Sequence, residues 1–229
     1  MASNTAQDSG FVDVWARVEG IPGWLTRAQA LALWQALGRV PREAVVVEIG
    51  SHQGRSTIVL AATGRRVVAI DPFVDGRMFG GGATREKFTA NVAAAGVEVE
   101  LIAEPSTAVR PTWREPIDIL YIDGKHDYWT VTDDLRWAEH VRPGGEVLVH
   151  DSFSSIGVTL SLLCHVLPGR RLRYLGRTGS LARFEVARPS VKDRLRMLRE
   201  LPWWLRNIAI KVALRAGRLF GHRNTPDPY

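Results

Sequence analysis

A single cysteine, Cys164, stands in a chain of 229 residues. One thiol cannot form an internal disulfide, so nothing implies an oxidising compartment. Its setting, VTLSLLCHVL, predicts a core position rather than a nucleophile. Long uncharged apolar runs are lacking too, and none reaches the roughly 20 residues of a membrane-spanning helix. No charged segment followed by an apolar stretch and a cleavage site opens the chain, so a cytoplasmic placement is expected. The three-glycine fingerprint of dinucleotide binding is incomplete, with His52 where the middle glycine would stand. That argues against a pyrophosphate lying close on the backbone, and so against a dehydrogenase. Excess charge is missing from most of the chain as well. Of the net +6, residues 188–229 carry ten Lys or Arg against three Asp or Glu, and the rest balances 20 against 21. No recognition module accompanies the basic tail, so a nucleic-acid partner is not expected.

What is present reads as one α/β unit with additions. Hydrophobic residues make up 45% and charged residues 24%, ordinary for a globular chain able to bury a core. Residues 1–10 are polar and expected to be irregular. Thr26 and Gln29 stand at capping-box spacing ahead of a helical pattern that Gly38 ends, with Trp24 and Trp34 expected to pack it on the core, or Trp24 alternatively to help cover a bound ligand. Apolar strand-like runs follow at 45–49, 66–70, 97–102, 117–122, 146–150, 171–175 and 181–187. Helical patterns near 54–63, 84–95, 130–141 and 155–167 alternate with them, which predicts a mainly parallel sheet with right-handed crossovers. The last two runs are joined only by RTG and predict an antiparallel hairpin. The division expected is an N-terminal helical extension over 1–43, a core over 44–187 and a basic amphipathic tail over 188–229.

Several strand-like runs end in an acid, and that is where chemistry is expected. IDILYIDGKHDY ends its apolar run at Asp123, with His126 three residues later, and GGEVLVHDSF ends at His150 and Asp151. Ligands of such sheets bind outside the carboxyl ends of the strands, so these side chains gather at one rim. Two carboxylates there suit a hard divalent cation beside a proton acceptor, against the plainer reading of helix caps. VVVEIGSHQGRST places Gly50 and Gly54 in a tight turn whose following helix offers its positive N-terminus. Asp71 ends the next run about 20 residues on, where an acid receives ribose hydroxyls. Together they suggest an adenosine-type ligand. The loop PFVDGRMFGGGA carries Arg77, Met78 and Phe79 before three glycines, and reads as a lid or a plain surface loop. Asp133 and Asp134 are expected to serve a helix start. His140, His165 and His222 are not expected to be ligands, whereas His52 lies within reach of a ligand in the glycine loop.

The order VEIGSHQGRST, AIDPF, ILYIDGKHDY and PGGEVLVHD resembles class I S-adenosylmethionine-dependent methyltransferases over roughly residues 20–187. It is most similar to the small metal-assisted sugar O-methyltransferases of the macrocin and mycinamicin type, and also to methyltransferases of methylmannose polysaccharide synthesis. The resemblance implies a Rossmann-like α/β fold with a mostly parallel seven-stranded sheet, one antiparallel strand and helices on both faces. It implies that Glu48 and Asp71 hold the methionine and ribose parts of the cofactor. Gly50, Ser51, Gly54, Ser56, Ser106 (near the adenine) and Asp123 complete the expected cofactor set. It further implies Asp123 and Asp151 as metal ligands and His126 as the base, working with Asp123. This chain departs from the pattern around Asp151, where His150 or Ser152 would supply the third ligand. Mg²⁺ is the expected ion, with His150 shifting preference toward a softer one.

The expected activity is methyl transfer from S-adenosylmethionine to a hydroxyl of a sugar or glycosylated small molecule. A metal-independent enzyme using His126 or His52, or a nucleotide-binding protein without chemistry, are the alternatives. A homo-oligomer is expected. The tail predicts two helices meeting at Pro202, the first capped by Ser190. In the second, Leu205, Ile208, Ala209, Val212, Ala216 and Leu219 share one side, and Lys211, Arg215 and Arg218 another. The apolar stripe is expected to pack on the core domain or a second subunit, with peripheral contact to an anionic membrane as the alternative.

Overall fold

The computed structural model describes residues 2–74 and 81–219, with side chains over 10–74 and 81–213. Two helices, α1 (Ala2–Val18) and α2 (Arg27–Leu37), precede the alternating part. Then come β1 (Val45–Ile49), α3 (Arg55–Ala61), β2 (Arg66–Ile70), α4 (Gly82–Ala95), β3 (Glu100–Ile102) and the short α5 (Ser106–Val109). β4 (Ile117–Ile122), α6 (Tyr128–Leu135), β5 (Val141–Val149), α7 (Ile156–Ser161) and the hairpin β6 (Leu172–Thr178) and β7 (Leu181–Val186) follow. Helices α8 (Val191–Leu198) and α9 (Leu201–Leu219) end the described chain.

The strands form one sheet in the order β3-β2-β1-β4-β5-β7-β6. Only β7 runs against its neighbours, β5 and β6, as the resemblance implied. The chain winds outward from β1 to β3, then crosses back to β4, so a crevice opens between the carboxyl ends of β1 and β4. Alternate residues of β1 feed different cores. Val45, Val47 and Ile49 join the cluster with Val131, Val158 and Met197, while Val46 joins Phe11, Leu33 and Ile58. The N-terminal helices thus cover one face of the sheet, and the tail covers the other through Met197, Trp203 and Trp204. No described helix is long and apolar enough to cross a membrane.

Several expectations need correction. Residues from Ala2 onward are helical rather than irregular, because Phe11, Val14 and Val18 bury one face and the helix extends upstream from it. β3 starts at Glu100, not 97, since Gly96 caps α4 in the left-handed region and leaves Val97–Val99 as a connection. β5 begins at Val141, where a register shift against β4 accommodates the Pro-Gly-Gly segment. α6 starts early because the Asp127 carboxylate accepts hydrogen bonds from the Trp129 and Thr130 amides. Asp133 and Asp134 therefore occupy its last turn, and the expected helix-start role does not apply. Cys164 is exposed, in a π turn (Leu162–Val166) that ends the α7 pattern. The loop residues Arg77, Met78 and Phe79, the side chains of Arg215, Ala216, Arg218 and Leu219, and His222 lie outside the described residues.

The tail docks by a different face from the one expected. Ser190 caps α8 in a capping box with Asp193, and Pro202 lies in the first turn of α9, as the sequence predicts. The inward residues of α9, however, are Trp203, Trp204, Asn207 and Lys211. Asn207 Nδ2 donates to the Phe153 carbonyl at 3.1 Å, and Lys211 Nζ to the Ser154 carbonyl at 2.8 Å. Leu205, Ala209 and Val212 face outward, and Ile208 is half-buried. Orphan carbonyls behind β5 bring the polar side of the helix inward.

Candidate active site

The parallel ladder continues one residue past the strand ends. Gly50 N donates to Ile70 O at 2.9 Å, Asp123 N to Ile49 O at 2.8 Å, and His150 N to Ile122 O at 2.9 Å. The rim is therefore part of the rigid sheet. Among the described residues, four other than glycine adopt positive φ, namely His52, Phe73, Asp151 and Phe153, and all follow the carboxyl ends of β1, β2 or β5. Such strain persists where surrounding contacts enforce a site's geometry.

A cavity of about 790 Å³ lies over this rim, lined by Gly50, Ser51, Asp71, Ser106, Asp123 and His126 among others. That size suits a small-molecule site. Another concavity of about 920 Å³ lies at the amino ends of β2 and β3 and gathers no comparable cluster.

Asp71 organises the glycine loop. Its Oδ2 accepts from the Ser51 and His52 amides, both at 2.9 Å, and its Oδ1 from the Phe73 amide at 2.9 Å. Gly50 has φ 88°, and a Cβ there would stand 2.4 Å from the Asp123 carbonyl oxygen. The loops after β1 and β4 touch, so glycine is required by neighbouring backbone as well as by any ligand. Gly50→Ala is expected to cost about 3 kcal/mol of folding stability, read from the denaturant midpoint. A change within about 0.5 kcal/mol, the range of an ordinary surface substitution, would contradict this close approach.

Two members of the expected cofactor set do not reach the cavity. A Cβ on Gly54 would meet Phe88 and Val92, so this glycine lets α4 pack on the loop. Glu48 is fully buried beneath the loop and accepts hydrogen bonds from the Ser56 and Thr57 hydroxyls. Burial pushes its pKa up to about 7, against the lowering effect of those hydroxyls. Between the ordinary value of 4.5 and about 7, the folded chain keeps a proton that the unfolded chain loses. Stability should then fall by about 3 kcal/mol as pH rises through that window. Glu48→Gln is expected to remove this part of the pH dependence, measured by urea unfolding on both sides of the window. An unchanged slope would show that Glu48 is already ionised when folded.

The expected catalytic side chains do converge. His126 Nε2 stands 3.1 Å from Asp151 Oδ2 and 3.7 Å from Asp123 Oδ1. His150 Nδ1 stands 3.2 Å from Asp123 Oδ1 and 3.5 Å from Asp151 Oδ2. Burial works against charge on His150, yet the two carboxylates outweigh it and push its pKa up to about 10. Burial likewise opposes ionisation of Asp123, but His150 and His126 hold it far below the usual carboxylate range. Burial also lowers the His126 pKa, and the same carboxylates raise it overall. Two acids here face two imidazoles, and each pair holds the other in its charged form.

The donor set fits a divalent ion. Ligand atoms of Asp123, His150 and Asp151 lie within 4.8 Å of one another, and buried His150 Nδ1 makes no hydrogen bond. Gln29 fixes the orientation of that ring. Its Oε1 accepts from the Thr26 amide at 2.8 Å, which fixes the amide orientation, and it faces His150 Nε2 at 3.3 Å. With a proton held on Nε2, Nδ1 is the nitrogen that would give up its proton to a metal ion and ligate it. Tyr121 donates to Asp123 Oδ2 at 2.8 Å and orients the other ligand. Ser152, the alternative third ligand, has a buried hydroxyl that donates to the Val149 carbonyl at 2.9 Å.

Three contributors, Gln29, Tyr121 and Asp134, were not expected from the sequence. Gln29 and Tyr121 carried only helix-cap and strand signals. Asp134 is buried at the far end of the cavity, where Ser106 Oγ donates to its Oδ1 at 2.5 Å and its Oδ2 accepts no hydrogen bond among the described residues. Burial raises its pKa to about 6. Trp24 takes the alternative placement rather than the core one: it is 57% exposed and lines the cavity beside His52, ring centroids 5.8 Å apart.

Residues 47–152 match a family described as a methyltransferase domain. Among solved structures, this chain is similar to an rRNA methylase from Streptococcus thermophilus, with 17% identity, TM-score 0.55, and coverage of 72% of this chain and 100% of that one. It is also similar to the S-adenosylhomocysteine-bound methyltransferase PaMTH1 of Podospora anserina, with 14% identity, TM-score 0.60, and coverage of 77% and 87%. The O-methyltransferase TomG from Streptomyces achromogenes, involved in tomaymycin synthesis and bound to S-adenosylmethionine, matches with 20% identity, TM-score 0.55, and coverage of 80% and 89%. At these identities the shared property is the fold.

Proposed function

We propose that this chain, a methyltransferase built on the class I fold, moves the sulfonium methyl of S-adenosylmethionine to a hydroxyl of a sugar or glycosylated small molecule. The observation that carries this reading is the Asp123, His126, His150 and Asp151 cluster beside a cavity whose other end is built by Asp71, Ser106 and Asp134. A sulfonium methyl is already activated, so the protein must align the acceptor and take its proton. Three backbone amides leave Asp71 about one acceptor position, on Oδ1, which would receive a ribose hydroxyl. Asp134 Oδ2, beneath Gly124, offers an acceptor for the exocyclic amine of adenine. Trp24 closes the side nearest His52.

A divalent cation held by Asp123, Asp151 and His150 would polarise the acceptor hydroxyl and balance the two carboxylates. An imidazole in the donor set moves preference from Mg²⁺ toward Mn²⁺ or a later ion. His126, whose side chain is 43% exposed toward the cavity, receives the acceptor proton on Nε2.

Asp71→Ala is expected to weaken S-adenosylmethionine binding by about 1.5–3 kcal/mol, since hydrogen bonds to a charged group are lost and the loop loosens. Calorimetry on the folded variant measures this, and unchanged affinity would remove the ribose contact. The reading as a whole is tested by assaying methyl transfer to a panel of carbohydrate and phenolic hydroxyls. Transfer only to non-carbohydrate acceptors would overturn the sugar assignment.

A further inference from the structure

Helices α8 and α9 present an outward face that combines apolar and cationic residues. Val191 is 73% exposed, Leu205 60% and Val212 61%, with Leu195 and Leu198 also exposed. On α8 the apolar Val191, Leu195 and Leu198 recur at helical spacing, and exposed Lys192, Arg196 and Arg199 run alongside. On α9, Leu205, Ala209 and Val212 share one stripe, with exposed Arg206 at its border. The two acids of this region are turned away from that role. Asp193 closes the Ser190 capping box, and Glu200 accepts from Tyr174 at 3.0 Å and Arg177 at 2.6 Å. The opposite sides of both helices are already used, through Met197, Trp203, Trp204 and Asn207.

Large outward apolar side chains at helical spacing mark an interaction surface rather than scattered surface residues. We propose that this face docks the protein on an anionic lipid surface. Charge complementarity selects that occupant. A second copy meeting the same face about a two-fold axis would set the patch of Lys192, Arg196, Arg199 and Arg206 against an identical cationic patch. An anionic membrane instead takes the apolar stripe into the headgroup boundary and attracts the flanking cations. α9 also carries Lys211 on the cavity lining, so docking brings the cavity mouth near the membrane.

The test is flotation of the full chain with phosphatidylglycerol vesicles and, separately, with phosphatidylcholine vesicles. Binding to the anionic vesicles alone is expected, with loss at about 1 M salt, where the Debye length falls to about 3 Å. Arg196→Glu with Arg199→Glu should weaken binding at least about 25-fold, counting about fivefold for each basic residue lost from the surface. Leu205→Glu with Val212→Glu should abolish it. All four side chains are exposed, so S-adenosylmethionine affinity should remain unchanged and report intact folding. No flotation, or equal flotation with neutral vesicles, would overturn the proposal. So would a dimer in sedimentation that Leu205→Glu dissociates, because a second copy would then occupy the face.

Discussion

Replacing His126 with alanine is expected to slow methyl transfer by about 10²–10⁴-fold, the usual contribution of a positioned general base. S-adenosylmethionine affinity should stay within about twofold, because the Asp71 contacts to the glycine loop do not involve this side chain. The split is informative. His126 stands at the cavity mouth, with Nε2 at 3.1 Å from Asp151. Its removal also takes a positive charge from between two carboxylates, so divalent-cation affinity should hold or rise. The wild-type rate should climb as pH passes above the ordinary histidine range, because the carboxylates hold the His126 proton and only the neutral ring accepts another. That limb should be missing in the variant. A near-normal rate at saturating substrate, with the pH limb intact, would assign the base elsewhere, and His52 would be the next candidate.

Asp123→Ala and Asp151→Ala are each expected to lower activity by about 10²-fold or more and to abolish the response to added Mg²⁺ or Mn²⁺. Each removes one of three donors that lie within 4.8 Å. Each also leaves buried His150 with only one carboxylate to balance its charge. Calorimetric titration with Mn²⁺ alone separates a binding loss from a folding loss, provided urea unfolding is measured beside it. Wild-type activity that survives exhaustive chelation would defeat the metal assignment. Single variants that still bind Mn²⁺ as the wild type does would place the ion elsewhere.

Most of the sheet was readable because β1, β4, most of β2 and the second half of β5 are buried on both faces and read as largely apolar runs. Asp71, Asp123 and Asp151 could be placed at one edge for the same reason, since each terminates such a run. Contacts at long sequence separation left no comparable trace. Gln29 reaches His150 across 121 positions, and its local signal is fully explained by the Thr26 capping box. Tyr121 reads as one more apolar strand residue, although its hydroxyl orients Asp123. Asp134 looked like a helix-start acid because the Asp127 cap, which moves the helix start upstream, was not recognised. The tail misled through its periodicity. A stripe of apolar residues names a face but not the direction in which it points, and here carbonyls of Phe153 and Ser154 drew Asn207 and Lys211 inward instead.

The most direct test of the account is transfer of an isotopically labelled methyl group from S-adenosylmethionine to carbohydrate hydroxyls, with the product identified by mass spectrometry. Assays with added Mn²⁺ and with chelator should be run side by side. The account predicts a sugar methyl ether that forms with the ion and fails to form without it or with His126→Ala. Bound S-adenosylmethionine with no methyl ether on any hydroxyl, or label recovered on nitrogen or carbon, would contradict it.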